Sequence, residues 1–274
     1  MKKRTYKVLL WIFTGIFLFS AGGLIWYGLD SKAQSENYSA LAQIAQQARP
    51  SLPEIDPADP TAPTTPVQHP WVTINDPETG DPVELLPEFA QLYTMNNDLV
   101  GWIRIPGTNI DYPMMQTPDS PDYYLRRDFE KKKNTHGCIY VKENCDLSLS
   151  DNVTIYGHRM RNGTMFGALG KFKKKSFWQE NKTVLLDTLT QRRTYEIFAV
   201  FLTTASIGQG FSYHTFVQAD SSQQYDAFVE QCKALSICDT GITPQYGEQL
   251  ITLSTCDRAL TNGRLVVVAR LVEE

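Results

Sequence analysis

From Val100 to Leu271 the apolar residues of this 274-residue chain come in short runs, and that rhythm limits the fold more than any other feature. The runs are Val100–Ile105, Ile110–Met115, Gly137–Val141, Val153–Tyr156, Thr183–Asp187, Arg193–Thr203, Gln249–Asp257 and Arg264–Leu271. They are rich in β-branched and aliphatic side chains, and each reads as a strand. Helical spacing is found at Pro82–Asp98, through Leu85, Leu86, Phe89, Leu92 and Tyr93, and at Ser222–Leu235, through Tyr225, Phe228, Val229, Cys232 and Leu235. A helix-like piece at Met165–Leu169 and Phe177–Trp178 and a polar connection through Leu125–Phe129 lie between strands. Strands do not alternate with helices as a doubly wound sheet requires. The expected fold is therefore mainly β, a closed or nearly closed barrel.

The first thirty residues differ in kind. Lys2, Lys3, Arg4 and Lys7 precede an uncharged apolar run from Val8 to Leu29, about the ~20 residues that a bilayer core requires. This predicts a single membrane helix with its basic end in the cytoplasm and the rest of the chain outside. A cleavable signal peptide has a shorter apolar core of ~7–15 residues, so an uncleaved anchor is the better reading. Ser35–Ala48 carries Leu41, Ile44, Ala45 and Ala48 at helical spacing and predicts a short juxtamembrane helix. Prolines at 50, 53, 57, 60, 63, 66 and 70 then fix φ repeatedly, which suits either a semi-rigid stalk or a plain linker. The expected organisation is residues 1–30 for tail and anchor, 31–81 for helix and stalk, and 82–274 for the folded domain.

A net charge of −4, with no basic patch interleaved with aromatics, gives no reason to expect a nucleic acid partner. Five cysteines in a domain outside the membrane leave one unpaired, which flags a reactive thiol. Cys138 with Cys145, or Cys232 with Cys238, have the option of disulfides or of serving as small core residues. His136, Cys138 and Cys145 do not have the spacing of a zinc site, and no metal or cofactor is expected.

Cys256 closes the run Gln249–Asp257, where a strand gives out and the side chain is exposed at the end of a rigid ladder. Arg264 opens the next run after the turn pair Asn262-Gly263. If the two strands are antiparallel neighbours, the guanidinium returns beside the sulfur, where a permanent cation stabilises a thiolate or an oxyanion formed from its target. Of the four histidines, His158 alone follows a short strand, Asn152–Tyr156 with Gly157, and is placed as Cys256 is.

Thr252-Leu253-Ser254-Thr255-Cys256, the arginine that opens a valine-rich strand, and Tyr156-Gly157-His158 upstream resemble the sortases, the cysteine transpeptidases of Gram-positive cell surfaces. The resemblance extends from about Leu85 to the C-terminus. It includes Gly101–Pro113, which is similar to the first strands of class B sortases, and the helix inserted before the strand of Cys256 fits that class. It implies a barrel of about eight strands with a helix packed outside it. It also implies that Cys256 attacks the peptide bond after a threonine in a sorting signal to give a thioester, that His158 moves the proton, and that Arg264 supports the oxyanion. The second substrate is then an amine of peptidoglycan, so that secreted proteins become anchored to the wall. By similarity Leu125, Tyr156, Ser254, Thr255 and Asp257 line the substrate groove, together with the loop Ser206–Thr215. The side chain of Thr255 is expected on the face opposite its neighbour's.

No acidic residue stands at a triad spacing from the histidine. A free imidazole titrates near ~6.5 and a free thiol near ~8.5, so a thiolate–imidazolium pair is a minority species unless the site shifts both, and a bell-shaped pH profile is expected. A pilus-polymerising relative of class C would carry a second apolar segment at its end and an aromatic lid, whereas this chain ends Val272-Glu273-Glu274 and has Glu78 after Asn75-Asp76-Pro77. Pilin polymerisation by a class B enzyme, a surface cysteine protease, and an inactive scaffold domain are the alternatives. The papain-type surroundings of a catalytic cysteine are missing from this sequence.

Overall fold

The structure is a computed structural model that describes residues 3–49, 72–75, 82–206 and 208–273. The prolines from 50 to 70 and the segment 76–81 lie outside the described residues, and with them the expected stalk. Two compact units are present, Met1–Ala40 and Leu41–Glu274.

Helix α1 runs from Lys3 to Ala48 without a break. No glycine or proline occurs between Leu29 and Ala48, and the intervening polar residues are compatible with a helix, so the separate juxtamembrane helix read from the sequence is the continuation of the apolar one. It ends where Arg49 meets Pro50, because a proline drives the residue before it out of the α region. Its apolar part is exposed, Trp11 by 75% and Phe19 by 86%, and is long and apolar enough to cross a membrane.

The second unit is organised around a closed barrel of eight strands. These are β3 (Leu99–Arg104), β4 (Asp111–Met115), β5 (Ile139–Val141), β6 (Asn152–Tyr156), β7 (Thr183–Thr188), β8 (Arg192–Thr204), β9 (Leu250–Cys256) and β10 (Gly263–Glu273). Around the barrel they run β10-β8-β7-β3-β4-β5-β6-β9, and β9 closes onto β10. Closure gives every one of these strands two neighbours and so removes the edges at which sheets pair with other chains. A separate pair, β1 (Val72–Asn75) with β2 (Pro82–Leu85), precedes helix α2 (Pro87–Met95). The helix expected from Pro82 thus starts five residues later, with a proline at its first position, where the missing N–H costs nothing. Short 3-10 turns at Phe166–Lys173 lead into α3 (Lys175–Glu180).

Helix α4 (Ser222–Leu235) lies between β8 and β9 in sequence, with Tyr225, Phe228, Val229 and Cys232 buried. These side chains join Phe198, Phe201, Phe216 and Val266 in one cluster, and Phe216 and Phe228 stack with centroids 4.2 Å apart. Each such side chain contributes about 1.5–3 kcal/mol by leaving water. The cluster anchors the segment between β8 and α4, which reaches the rim of the barrel.

Beneath that rim the parallel neighbours β6 and β9 are held in step by a buried polar pair. Thr252 Oγ1 donates to Asn152 Oδ1 at 2.7 Å, and Asn152 Nδ2 donates to the Phe216 carbonyl at 2.8 Å. Both side chains are fully buried. A slip of register would leave those groups unpaired in the interior, at about 1–3 kcal/mol each.

Candidate functional site

Strand β9 has β6 on one side and β10 on the other, and the three meet at one rim. Cys256 is the last residue of β9; among the five cysteines, none of which is in a disulfide, it is exposed and the other four are buried. On one flank Arg264 faces Cys256 directly in the antiparallel β9–β10 register. On the other flank the parallel register pairs Tyr156 with Ser254, and His158 and Cys256 each lie two positions further on. The thiol therefore sits between an imidazole-bearing and a guanidinium-bearing strand end.

His158 is fixed by its ring. Its Nε2 lies 2.7 Å from the carbonyl oxygen of Leu125. A carbonyl only accepts, so Nε2 carries a proton and Nδ1 is the atom left for proton exchange. Leu125 belongs to a 3-10 turn, Tyr123–Arg126, that the sequence did not announce. Gly137 packs against that turn: its φ is +59°, and a Cβ there would meet the Leu125 oxygen at 2.5 Å. Gly157 is equally constrained, since a Cβ would meet Ile139 and Phe166 at 2.5 and 2.7 Å. Two glycines thus allow the histidine and its partner to approach.

A cavity of about 350 Å³ opens over these groups and is lined by Cys256, His158 and Arg264 together with Leu125, Tyr156, Ser254 and Thr255. A larger groove of about 790 Å³ between α4 and β8 is lined by apolar, hydroxyl and amide side chains and holds no titratable group among the described residues. The titratable groups gather in the smaller one. Arg264 donates to the carbonyls of Asn262 and Gly263 at 3.2 and 3.1 Å, bonds to its own turn that leave most of its five N–H groups uncommitted. Ser254 Oγ is taken by the Tyr213 hydroxyl at 2.6 Å, and Thr255 Oγ1 donates to the Gly157 carbonyl at 2.7 Å. Thr255 reaches the cavity wall, although its hydroxyl is committed to the backbone.

Of the five residues expected singly in the groove, Leu125, Tyr156, Ser254, Thr255 and Asp257, only Asp257 does not line the cavity. Its side chain is 2% exposed, accepts from Arg159 at 2.8 Å and pairs with Lys173. Burial alone would raise its carboxyl, but the Lys173 hydrogen bond, the Ala259 N–H and the charges of Lys173 and Arg159 hold it below the usual carboxylate range. A side chain so committed has no oxygen turned to a peptide.

The structure adds residues to the cavity that sequence reasoning passed over, Asp122, Tyr140, Lys142 and Glu143, and of the expected loop Ser206–Thr215 it brings Tyr213 and His214 to the cavity. Burial, and then the charges of Lys142 and Arg264, lower the His214 imidazole and favour its neutral form. Burial raises the phenols of Tyr140 and Tyr156, whose rings meet 5.4 Å apart. The sequence signal for most of these was weak, because they come from short or irregular segments.

The family model described as the sortase domain matches residues 103–272. The chain is 32% identical over 192 residues to sortase B of Listeria monocytogenes, covering 69% of this chain and 76% of that one. Among solved structures, a Staphylococcus aureus sortase B–substrate complex superposes with a TM-score of 0.70 at 25% identity, covering 89% of this chain and 99% of the other. A sortase B complexed with triglycine gives a TM-score of 0.68 at 25% identity, with 89% and 99% covered.

Proposed function

The chain belongs to the sortase family, in its class B branch, and from that premise we propose that it is a membrane-anchored cysteine transpeptidase that joins secreted proteins to an amine of the cell wall. The observation that carries this reading is the meeting of Cys256, His158 and Arg264 on three adjacent strand ends over one cavity. A substrate-bound and a triglycine-bound sortase B superpose on the chain, which supports a peptide and an amine as its two substrates. The apolar helix α1 supports an anchor that crosses the membrane once, N-terminus inside and catalytic unit outside.

The mechanism follows from the groups. The Cys256 thiolate attacks the carbonyl carbon of the threonine of a sorting signal, in the peptide bond that follows it, and the oxyanion that forms is met by N–H groups of Arg264. As the carbon–nitrogen bond breaks, imidazolium Nδ1 of His158 gives its proton to the departing amine, leaving a thioester on Sγ. His158 Nε2 stays tied to Leu125 throughout, so the ring exchanges protons at one nitrogen only. An incoming amine then attacks the thioester, returns a proton to Nδ1 and expels the thiolate. Leu125, Tyr156 and Ser254 shape the wall against which the peptide lies.

The test uses the full chain in detergent with a panel of sorting-signal peptides, with and without triglycine, and reads products by mass spectrometry beside Cys256→Ala. The expected result is a peptide–triglycine product that the variant does not make. Release of the free acid alone, indifferent to triglycine, would move the assignment to a surface protease, and no reaction at all to an inactive scaffold.

A further inference from the structure

The backbone ladder between β6 and β9 ends at Tyr156 and Ser254, with the Gly157 N–H donating to the Ser254 carbonyl at 3.2 Å. Counting on from that pair, Gly157 stands in step with Thr255, His158 with Cys256, and Arg159 with Asp257. Among the described residues no further backbone bond joins this continued pair of strands. Side chains take over instead. Thr255 Oγ1 donates to the Gly157 carbonyl at 2.7 Å, and Arg159 Nη1 donates to Asp257 Oδ2 at 2.8 Å. The residues immediately before and immediately after His158 are thereby tied to those immediately before and after Cys256.

We propose that Thr255 and Asp257 are positioning residues that extend the β6–β9 ladder through their side chains and so hold the Cys256 thiol beside the His158 imidazole. The proposal rests on the transpeptidase reading for its kinetic consequence, but its geometric content stands independently.

Each half of the brace is built to hold. Thr255 is 3% exposed, so water does not compete for its hydroxyl, and its β-branched side chain has few rotamers to lose. Asp257 has a second cation, Lys173, from the 3-10 turns that follow, and its own Oδ1 accepts from the Ala259 N–H at 2.9 Å. On its other side the Asp257 N–H donates to the Gly263 carbonyl at 2.8 Å. One residue therefore ties the cysteine end of β9 both to the segment of His158 and to the start of β10, which carries Arg264. A thiol and an imidazole held this way need no carboxylate on the imidazole to set their separation. Displacement by about 1 Å is enough to cost ~10²-fold in rate.

The experiment works on the full chain in detergent and has two readouts. The first is geometric. In a His158→Cys chain, dibromobimane is offered as a short bridge between position 158 and Cys256, and the rate of double alkylation is followed by fluorescence, with a chain carrying Cys256→Ala as well for background. The expected result is rapid bridging that slows at least fivefold when Thr255→Val or Asp257→Asn is added. No bridging with the brace intact, or bridging at an unchanged rate without it, overturns the proposal. The second is kinetic. With His158 present, Thr255→Val and Asp257→Asn are expected to lower kcat ~10–100-fold with KM within twofold, and Thr255→Ser and Asp257→Glu to recover most of the loss. A rise in KM at constant kcat would instead make these residues substrate contacts and overturn the proposal. Should Asp257→Asn fail to fold, Thr255→Val decides alone. Failure of the unmodified chain to join any peptide to triglycine would remove the proposed function while leaving the bridging result to judge the brace.

Discussion

Arg264 lies directly across the antiparallel β9–β10 ladder from Cys256. The residue is held by the register of eleven-residue β10, with no ion pair among the described residues, and donates to carbonyls of its own turn. Removing the guanidinium should therefore change chemistry much more than stability. Arg264→Ala is expected to lower kcat by about 10²–10³, the usual loss of an oxyanion donor, with the melting temperature within a few degrees. Arg264→Lys should recover little, because an ammonium keeps the charge but loses the planar fork. Transpeptidation kinetics beside thermal unfolding check this, and a lysine variant near full activity would show that charge alone suffices.

The Leu125 carbonyl dictates the tautomer of His158. Nitrogen-15 NMR of the histidine ring is expected to show the proton of the neutral form on Nε2, with Nδ1 bare. His158→Gln keeps an N–H near that carbonyl without a group that titrates, and should cost about 10²–10⁴ in kcat. A Nδ1–H tautomer in the resting enzyme would contradict the assigned route of the proton.

The strands were legible because their runs are bounded by turn residues and alternate well. The Ser222–Leu235 helix was legible because Tyr225, Phe228, Val229 and Cys232 repeat at helical intervals and all four are buried. Cys256 and Arg264 showed through their places at opposite ends of two consecutive strands, which a hairpin brings together. Leu125 entered only through the resemblance, as a groove residue, and the part its carbonyl plays was hidden, since a 3-10 turn leaves no periodicity and backbone atoms carry no residue identity. Asp257 was placed at the groove by the resemblance alone; its partners, Arg159 and Lys173, are 98 and 84 residues away in sequence, so only the folded chain shows what the carboxylate faces. The β1–β2 pair escaped notice because Val72–Asn75 is short and adjoins the proline-rich run.

Helix α4 does more than cover the barrel. Phe228 stacks on Phe216 and meets Phe211 at 5.6 Å, and these two flank the segment that brings Tyr213 and His214 to the cavity. Phe228→Ala should destabilise the chain by about 3–5 kcal/mol, as emptied aromatic sites do, and raise KM for the peptide more than it lowers kcat. Denaturant unfolding and steady-state kinetics read the two effects. Unchanged KM in the folded variant would mean that the loop holds its place without the helix.

Arg49, the last described residue before the prolines, is part of the catalytic unit's own ion network. It pairs with Glu88 at 3.2 Å and with Asp187, both buried, while Arg192 also reaches Glu88 and Arg104 reaches Asp187 at 3.4 Å. Burial raises the Asp187 carboxyl, and the charges of Arg49, Arg104 and Arg192 pull it back down. Arg49→Ala should cost about 1–3 kcal/mol at neutral pH, below the full penalty of an orphaned buried charge because other arginines remain. The sign with pH is fixed: loss of Arg49 raises Asp187 further, so the deficit appears as pH rises through the parent's folded value, itself above the unfolded one, and shrinks in acid where the group is protonated in both chains. A deficit constant from pH 3 to 7 would place the effect in packing.

Asp257 predicts a deficit that also closes in acid, but in a lower pH window, because its folded carboxyl is depressed where that of Asp187 is raised. Burial works to raise its folded carboxyl, but Lys173, Arg159 and the Ala259 N–H outweigh that cost and hold it below the ordinary range. A group depressed in the folded state contributes stability that is fully present above its unfolded value, about 3.9, and is lost as pH falls through the lower folded value. Asp257→Asn should therefore be less stable than the parent at pH 6, and the gap should close on acidification below about pH 4, where the parent's carboxyl takes up its proton. The same acid range should slow bridging of Cys256 to a cysteine substituted at position 158, once the rate is corrected for thiolate content with a chain in which Asp257→Asn is already present. Urea unfolding of both chains from pH 6 to 2.5 checks the first half. A gap that persists unchanged to pH 2.5 would mean that the amide's shape, not the lost charge, weakens the brace.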